Sequence, residues 1–391
     1  MSAPERDGFD PARHLPDELL ERIRERAIVH DRENTFPQHD LDELREAGYL
    51  SILVPRELGG AGLGLAEAAV LQQRLASAAP ATALAINMHL VWTGVAKVFS
   101  DRGIPGLEFV QRGAVAGEVF AFGISEGGND LVLFGSDTSA VPQDDGGYAF
   151  TGTKIFTSLA PVWTKLGLHG LDTTSPDAPK LVFAFVDRTD AVTTSDDWDT
   201  LGMRGTQSRT TRLDGAVAAP EHVVRRIDPG PNPDPIVFGI FSVFEILLAS
   251  VYTGIARRGL DLAVEAAKSR RSKKTGMSYS QDPDIRWRIA DMTLAYDGLP
   301  PQISALARDV DELADHGARW FTLLSGLKHR AVVVAKQVVD EAMLVAGGGS
   351  YFSSNELSRL YRDVLAGMFH PSDPESAHST AASAWLGPME G

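Results

Sequence analysis

The fold of this chain is decided by three segments near its middle: Ala121-Phe-Gly-Ile-Ser-Glu-Gly-Gly-Asn-Asp130, Gly152-Thr-Lys-Ile-Phe-Thr-Ser158 and Leu201-Gly-Met-Arg-Gly-Thr-Gln-Ser208. Each is a strand-like apolar run that ends in small hydroxyl, glycine or amide residues. Such an ending leaves backbone N–H groups and hydroxyls free to bind a flat polar ligand. The segments therefore predict a ligand site built on a β region.

The patterns on either side of these segments divide the chain into three regions. Residues 1–116 carry apolar residues at three- and four-residue spacing, which is typical of helices. Residues 117–233 have shorter, β-branched apolar runs and frequent turn signals, which predict antiparallel strands near 119–124, 148–155, 181–187 and 210–217. Residues 234–391 return to long helical patterns, near 237–271, 285–315, 320–345 and 355–366. We expect an α+β, mainly α protein with an N-terminal helical domain, a central antiparallel β domain and a C-terminal four-helix bundle.

Composition excludes several function classes. The chain of 391 residues has a formal net charge of −15, which argues against nucleic-acid binding because phosphate neutralisation needs clustered Lys and Arg. It has no cysteine, so disulfides, thiolate metal sites and cysteine nucleophiles are excluded, and no metal site is predicted. The first residues are polar and charged and lack the apolar core of a signal peptide. We expect a soluble, cytoplasmic protein.

One apolar run has the length of a membrane span. Residues 236–256 contain a single charged residue, Glu245, and a run of this length could cross a bilayer. A carboxylate at the centre of a bilayer is costly, however, and the run continues directly into an amphipathic helix. A helix that is apolar on all sides also suits the centre of a large bundle. We therefore predict a buried central helix and no membrane span.

In order and spacing, the three segments resemble those of the acyl-CoA dehydrogenase superfamily of flavoproteins. The resemblance runs from about Phe36 to Leu386 and implies FAD as the cofactor. It implies that a Gly-Gly loop, Gly347 and Gly348, contacts the FAD of a neighbouring subunit, where close approach requires absent side chains. That loop and the long apolar C-terminal helices predict a homo-oligomer, a dimer of dimers, hence a homotetramer. The residues that would line the flavin ring are Phe122, Ile124, Ser125, Phe156 and Ser158.

The catalytic base departs from the pattern of this family. Many acyl-CoA dehydrogenases carry a catalytic Glu in a loop eight residues after an Arg-Asp pair, and counting from Asp363 gives Pro371. One remaining candidate is Glu245, because burial in the apolar run would raise its pKa and suit it as an α-proton base. It would otherwise form a structural ion pair with an Arg of another helix. The second candidate, His370, matches a His of flavin monooxygenases with this fold, or is a loop His bonded for structure; Glu375 is a third choice.

Three functions fit these observations. The leading hypothesis is an FAD-dependent α,β-dehydrogenation of an acyl thioester carried by CoA or an acyl carrier protein. Its electrons would pass to an external acceptor protein, since the sequence offers no second redox centre. The alternative is a flavin-dependent monooxygenase or oxidase on the same scaffold, which fits Pro371 and the position of His370. The third is a flavin- or acyl-binding protein that lacks a base.

Overall fold

The computed structural model describes residues 8–387 and residue 389. Secondary structure follows the predicted order of helices, strands and helices, so the α+β, mainly α architecture is confirmed. The long helices have apolar faces that pack into one continuous core. The helices of the first region are α1 (Asp17–Glu33), α2 (Gln38–Glu46), α3 (Leu65–Ala78), α4 (Pro80–Asp101) and α5 (Glu108–Val115).

The central region forms one sheet. Its strands are β1 (Phe120–Gly123), β2 (Ser139–Pro142), β3 (Tyr148–Thr157), β4 (Lys165–Asp172), β5 (Lys180–Asp187), β6 (Val192–Thr194), β7 (Arg209–Ala218) and β8 (Val223–Ile227). The strand order is β6-β7-β3-β2-β4-β5-β8, and β1 lies beside β4. Most neighbouring strands are antiparallel, as predicted, but β1 and β2 run parallel to β4, so the sheet is mixed.

Strand β4 has no β-branched residue, and for this reason its pattern does not predict a strand. Its two glycines are explained by close packing. A Cβ on Gly167 would lie 2.3 Å from the indole of Trp92, and one on Gly170 would lie 2.8 Å from the ring of Phe150. The absent side chains therefore make room for two large aromatic rings in the core.

The third region contains the helices that complete the fold. The predicted helix over 285–315 is interrupted after Asp297, because Pro300 and Pro301 fit the first turn of a new helix and not a helix interior. The helices are α6 (Pro235–Ser269), α7 (Pro283–Tyr296), α8 (Leu299–Asp311), α9 (Arg319–Ala346), α10 (Glu356–Leu365) and α11 (Pro374–Leu386).

Helix α6 is the centre of the molecule. It packs on α9 in the C-terminal region and on α3 and α4 in the N-terminal region. Within the part of the chain that the structure describes, it is the one helix with the length and composition of a membrane span, and 89% of its most apolar window is buried. Its apolar surface is thus covered by protein on all sides, as predicted for a central helix.

Candidate functional site

The structure brings the three sequence segments together at one end of the sheet. The backbone N–H of Ile155 donates to the carbonyl oxygen of Ser125 over 2.9 Å, which joins the first segment to the second. The hydroxyl oxygens of Ser158 and Ser208 lie 2.7 Å apart, which joins the second segment to the third. Three predicted site residues, Ser125, Phe156 and Ser158, therefore lie in one region, with Phe156 exposed, Ser125 half-buried and Ser158 buried.

Phe156 has an unusual backbone conformation. The pairing of β3 with β7 shifts register between Lys154 and Thr157, and Phe156 within this bulge has φ +56°. Its side chain is 53% exposed, and its ring packs edge-on against Trp198 at a centroid distance of 6.2 Å. A bulky residue held in the left-handed region with its ring exposed indicates a functional surface, since such strain persists where a site requires it.

The apolar wall behind this surface is aromatic. The Phe122 ring stacks on Phe244 of α6 at 5.4 Å between centroids and lies 5.4 Å from the ring of Trp92. Phe122 is 9% exposed and Ile124 is 1% exposed. These two residues therefore form the packed base of the site, whereas half-buried Ser125 and exposed Phe156 face outward.

The third segment is fixed to α10. The carboxylate of Asp363 accepts a hydrogen bond from the Met203 N–H at 2.6 Å, and Arg362 donates to the Leu201 carbonyl at 3.0 Å and pairs with Asp31 of α1. Burial raises the pKa of Asp363 to about 6, against the opposing charge of nearby arginines. The Arg-Asp pair therefore holds the β region, α1 and α10 together.

Substitution of Gly202 by Ala should destabilise this junction. A Cβ there would lie 2.1 Å from the carbonyl oxygen of Arg362, and backbone cannot move aside as a side chain can. We expect a loss of about 1–3 kcal/mol in the free energy of unfolding, measured by urea denaturation. The control is Gly349→Ala, because nothing lies within 4 Å of its added Cβ. Equal stabilities of the two variants would contradict this packing.

Glu245 lies on α6 next to Phe244 and is fully buried. The Ser372 hydroxyl donates to one of its carboxylate oxygens, and within the described residues the other oxygen has no hydrogen-bond partner. Burial raises the pKa of this carboxyl, while the Ser372 hydroxyl and the positive charge of Lys328 act in the opposite direction. Glu245 is thus held inside the protein by α9 and by the loop that follows α10.

Lys328 of α9 organises that loop. Its buried Nζ donates to the carbonyl oxygens of Gly367 at 2.9 Å, His370 at 3.0 Å and Ser372 at 3.2 Å. Burial lowers the pKa of Lys328, and the neighbouring carboxylate of Glu245 partly offsets this effect. Lys328 is not among the residues predicted from sequence, although a lysine on the apolar face of a helix, beside Leu324 and Leu327, is a signal for a buried charge.

His370 lies half-buried in the same loop. Its Nδ1 is 3.2 Å from the Tyr252 hydroxyl, and burial together with the charge of Lys328 lowers the pKa of the imidazole to about 3. Burial also raises the pKa of Tyr252 well above its usual value, so this hydroxyl keeps its proton. Among the described residues this hydroxyl has no other hydrogen-bond partner, so we assign Tyr252 as the donor to Nδ1, which leaves the imidazole proton on Nε2. His370 is a neutral hydrogen-bond donor at ordinary pH, while Glu375 is exposed in the first turn of α11.

The glycine loop lies away from this cluster. Gly347 ends α9 with φ +75°, and an added Cβ on Gly348 would meet nothing within 4 Å. At 1.5 Å per residue, the part of α9 between Lys328 and Gly347 spans about 28 Å. The glycines therefore lie about one helix length from Lys328, and their predicted contact with a neighbouring subunit's cofactor stays a prediction.

The residues around Phe156, at the end of the sheet, fit a flavin. The ring system of a flavin needs a flat apolar contact and a few fixed polar groups at its edge. Phe156 supplies an exposed ring and Ser125 a half-buried hydroxyl, whereas Ser158 is buried and its hydroxyl is bonded to Ser208. Two further apolar side chains are exposed, Leu201 in the third segment and Phe369 in the loop after α10.

A helical protein whose central sheet and helices form a junction of this kind has the architecture of a flavin-dependent oxidoreductase. Residues 14–100 match the acyl-CoA dehydrogenase N-terminal domain, and residues 246–372 match the acyl-CoA dehydrogenase C-terminal domain. The chain belongs to the acyl-CoA dehydrogenase superfamily, as the three segments predict. The superfamily assignment also makes it an enzyme with a flavin cofactor.

The similar proteins include nitrososynthases, dibenzothiophene monooxygenases and a putative acyl-CoA dehydrogenase. The chain is 28% identical to the amino sugar nitrososynthase DnmZ of Streptomyces peucetius, over 90% of this chain and 88% of that protein. It is 26% identical to the dibenzothiophene monooxygenase of Rhodococcus qingshengii, over 92% of this chain and 88% of that protein. The solved structure of KijD3 in complex with FMN and dTDP-3-amino-2,3,6-trideoxy-4-keto-3-methyl-D-glucose superimposes with a TM-score of 0.84 at 28% identity, covering 99% of this chain and 96% of that one.

Proposed function

We propose that this protein is a flavin-dependent monooxygenase that transfers one oxygen atom to a nitrogen or sulfur atom of a small organic substrate. The observation that carries the proposal is that no carboxylate is available as the catalytic base of a dehydrogenase. Pro371 occupies the position of the loop Glu, and the remaining carboxylate, Glu245, is fully buried and held by Ser372. An acyl-CoA dehydrogenase needs a base within hydrogen-bond reach of the substrate's α-proton. Dehydrogenation, the leading hypothesis from sequence, is therefore replaced by its alternative.

The similar proteins support the same choice. A nitrososynthase and a dibenzothiophene monooxygenase are named for reactions at a nitrogen compound and a sulfur compound. Each matches nine tenths of this chain, so the likeness extends over both helical regions and the sheet. We propose a substrate of the same broad kind, a small molecule with an oxidisable amine or thioether, in place of an acyl thioester.

The proposed cofactor is a reduced flavin, with FMN as the first choice because a similar structure contains FMN. A reduced flavin supplies the two electrons that activate O₂. The reaction balances as substrate, O₂ and reduced flavin giving oxygenated substrate, water and oxidised flavin. Electrons then enter from a separate flavin reductase, where the sequence predicted an external acceptor. We retain the proposals of a soluble homo-oligomer and of a contact between Gly348 and a neighbour's cofactor.

The protein's own residues would bind and orient the reactants. Phe156 would contact the flat face of the flavin and the Ser125 hydroxyl would bind its polar edge, while Ser158, buried against Ser208, would support that edge from behind. His370, neutral and with its proton on Nε2, would donate a hydrogen bond to the reacting oxygen. The aromatic base formed by Phe122 and Phe244 would exclude water from beneath the site.

Mass-spectrometric product analysis tests this function directly. The purified protein is supplied with FMN and an NADH-dependent flavin reductase, and substrate-dependent product formation is followed with an amino sugar nucleotide and with dibenzothiophene. We expect product with one of these two classes and incorporation of one atom from ¹⁸O₂. Butyryl-CoA added without oxygen should leave the oxidised flavin spectrum unchanged. Bleaching of that spectrum by butyryl-CoA would refute the monooxygenase and restore the dehydrogenase.

Flavin affinity should fall when the exposed face of the site is removed. In Ser125→Ala combined with Phe156→Ala, the flat contact and one polar group are lost, so we expect FMN to bind at least about tenfold more weakly. Fluorescence quenching of FMN measures this change. The control is Val217→Ala, an exposed apolar residue near the opposite end of β7 from Ser208. An affinity within twofold of the wild-type value in the double variant would show that the flavin lies elsewhere.

A further inference from the structure

A buried ion pair joins the first and second segments. The carboxylate of Glu126 and the ammonium of Lys154 are 2.6 Å apart, and their side chains are 2% and 0% exposed. Neither residue belongs to the site described above. Because two buried charges lose much hydration, such a pair is stable only where further hydrogen bonds satisfy both groups. The partners of each charge therefore indicate what the pair does.

The Glu126 carboxylate accepts hydrogen bonds from several residues of the loop between Asn129 and Thr138. One carboxylate oxygen accepts from the Ser136 hydroxyl at 2.7 Å and from both the hydroxyl and the N–H of Thr138, at 2.6 and 3.0 Å. The other accepts from the side chain of Asn129 and from the N–H of Asp137, each at 2.7 Å. Burial opposes ionisation, but the charge of Lys154 and these donors outweigh it and hold the pKa of Glu126 well below its usual value.

Lys154 connects this loop to β4. Its Nζ donates to the carbonyl oxygen of His169 at 2.8 Å and lies 3.2 Å from Nδ1 of the same residue. Burial lowers the pKa of His169 to about 4, so the ring is neutral and accepts at Nδ1. Its Nε2–H then donates to the Val132 carbonyl at 2.6 Å. A single network thus joins β3, β4 and the loop between β1 and β2.

This network lies where the β-sheet hydrogen bonds do not hold the first and second segments together. Within the described residues β1 pairs with β4 and not with β3, so no ladder sets the register between Ser125 and Phe156. One backbone hydrogen bond, from Ile155 to Ser125, joins the two segments there. Glu126 is the next residue after Ser125, and Lys154 precedes Ile155. The ion pair therefore clamps the two segments at the point where they meet.

We propose that Glu126 and Lys154, supported by His169, are positioning residues that set the distance between Ser125 and Phe156 and thereby the affinity and orientation of the flavin. This inference rests on the proposed flavin site. The ion pair would act by holding Ser125 and Phe156 in position, because its own side chains are buried and do not contact the ligand. The loop from Asn129 to Thr138 is held in place by the same contacts.

The test is the double variant Glu126→Gln with Lys154→Met, which removes both charges at similar volume and leaves no buried charge without a partner. FMN affinity and the visible circular dichroism of bound FMN are measured, with far-ultraviolet circular dichroism as the folding control. We expect binding at least about tenfold weaker and a changed visible spectrum. The matched control is Tyr148→Phe, which deletes a buried hydrogen bond to Asp172 at the opposite end of β3 and should leave both readouts unchanged.

A second variant covers the case in which the double variant does not fold. Thr138→Val keeps the side-chain shape and both charges and removes one hydroxyl donor to Glu126, so it should weaken FMN binding severalfold. An FMN affinity within twofold of the wild-type value and an unchanged visible spectrum in either folded variant would overturn the clamp. If the wild-type protein itself bound neither FMN nor FAD, the proposed function would fail first, which separates the two conclusions.

Discussion

Replacement of Lys328 by Met should be among the most destabilising single changes in this protein. The substitution leaves three carbonyl oxygens of the loop after α10, those of Gly367, His370 and Ser372, without their charged donor. It also leaves Glu245 buried without its neighbouring positive charge. Breaking a buried ionic group in this way typically costs about 3–5 kcal/mol in the free energy of unfolding. Urea denaturation at several pH values measures the loss.

The pH dependence of the variant follows from the carboxyl that remains. Without the charge of Lys328, the pKa of Glu245 in the folded protein rises further above its unfolded value. The folded state then holds a proton that the unfolded state releases, so stability is retained at low pH and lost as the pH rises through the folded pKa. We expect Lys328→Met to be less unstable at pH 5 than at pH 8, and the added change Glu245→Gln to remove this difference.

A matched control lies two turns along the same helix. Lys336 also sits on α9, but it is partly exposed and pairs with Asp340 over 3.2 Å at the surface. A surface pair of this kind is worth about 0–1 kcal/mol, so Lys336→Met should have little effect. If the two lysine variants lost equal stability, with no dependence on pH, the assignment of Lys328 as the organiser of the loop would be wrong.

The parts of the fold that depend on local sequence patterns could be predicted from the sequence. The helices on both sides of the sheet follow their apolar periodicity, and the burial of α6 follows from an apolar run with one charge. Strand β4 was missed because the signal of a strand, a β-branched run, is absent where Gly167 and Gly170 make room for Trp92 and Phe150. Packing between distant segments, and not local preference, decides that strand.

The site could be predicted in part for the same reason. Ser125, Phe156 and Ser158 belong to motifs, and the structure brings them together. The environment of Glu245 could not be predicted, because its partners Ser372 and Lys328 lie 127 and 83 positions away in the sequence. In place of an ion pair with an arginine, Glu245 accepts a hydrogen bond from the Ser372 hydroxyl and lies near the positive charge of Lys328. Sequence indicates that a buried carboxylate needs a partner, and the tertiary fold decides which one.

Replacement of His370 by Ala should have the largest effect on activity. The Tyr252 hydroxyl fixes Nδ1 at 3.2 Å, so the ring presents Nε2–H in one orientation. Loss of a pre-oriented donor to a reacting oxygen typically lowers the rate about 100- to 1,000-fold, and oxygen that is not transferred leaves as hydrogen peroxide. We therefore expect His370→Ala to reduce substrate-coupled oxygen uptake by that factor and to raise peroxide release, with FMN still bound. The control is His378→Ala, an exposed histidine of α11.

The pH profile separates a fixed donor from an acid catalyst. Burial and the charge of Lys328 lower the pKa of His370 to about 3, so the imidazole stays neutral from pH 5 to pH 8 and contributes no break to the rate in that range. His370→Gln, which keeps a neutral N–H donor, should retain more activity than His370→Ala, and Tyr252→Phe should fall between them because the ring loses its orientation. A break near pH 6.5 in the wild-type rate that disappears in His370→Gln would mean that the imidazole transfers a proton. In that event the pKa of His370 would not be lowered by burial and the charge of Lys328, and His370 would act as an acid catalyst and not as a fixed donor.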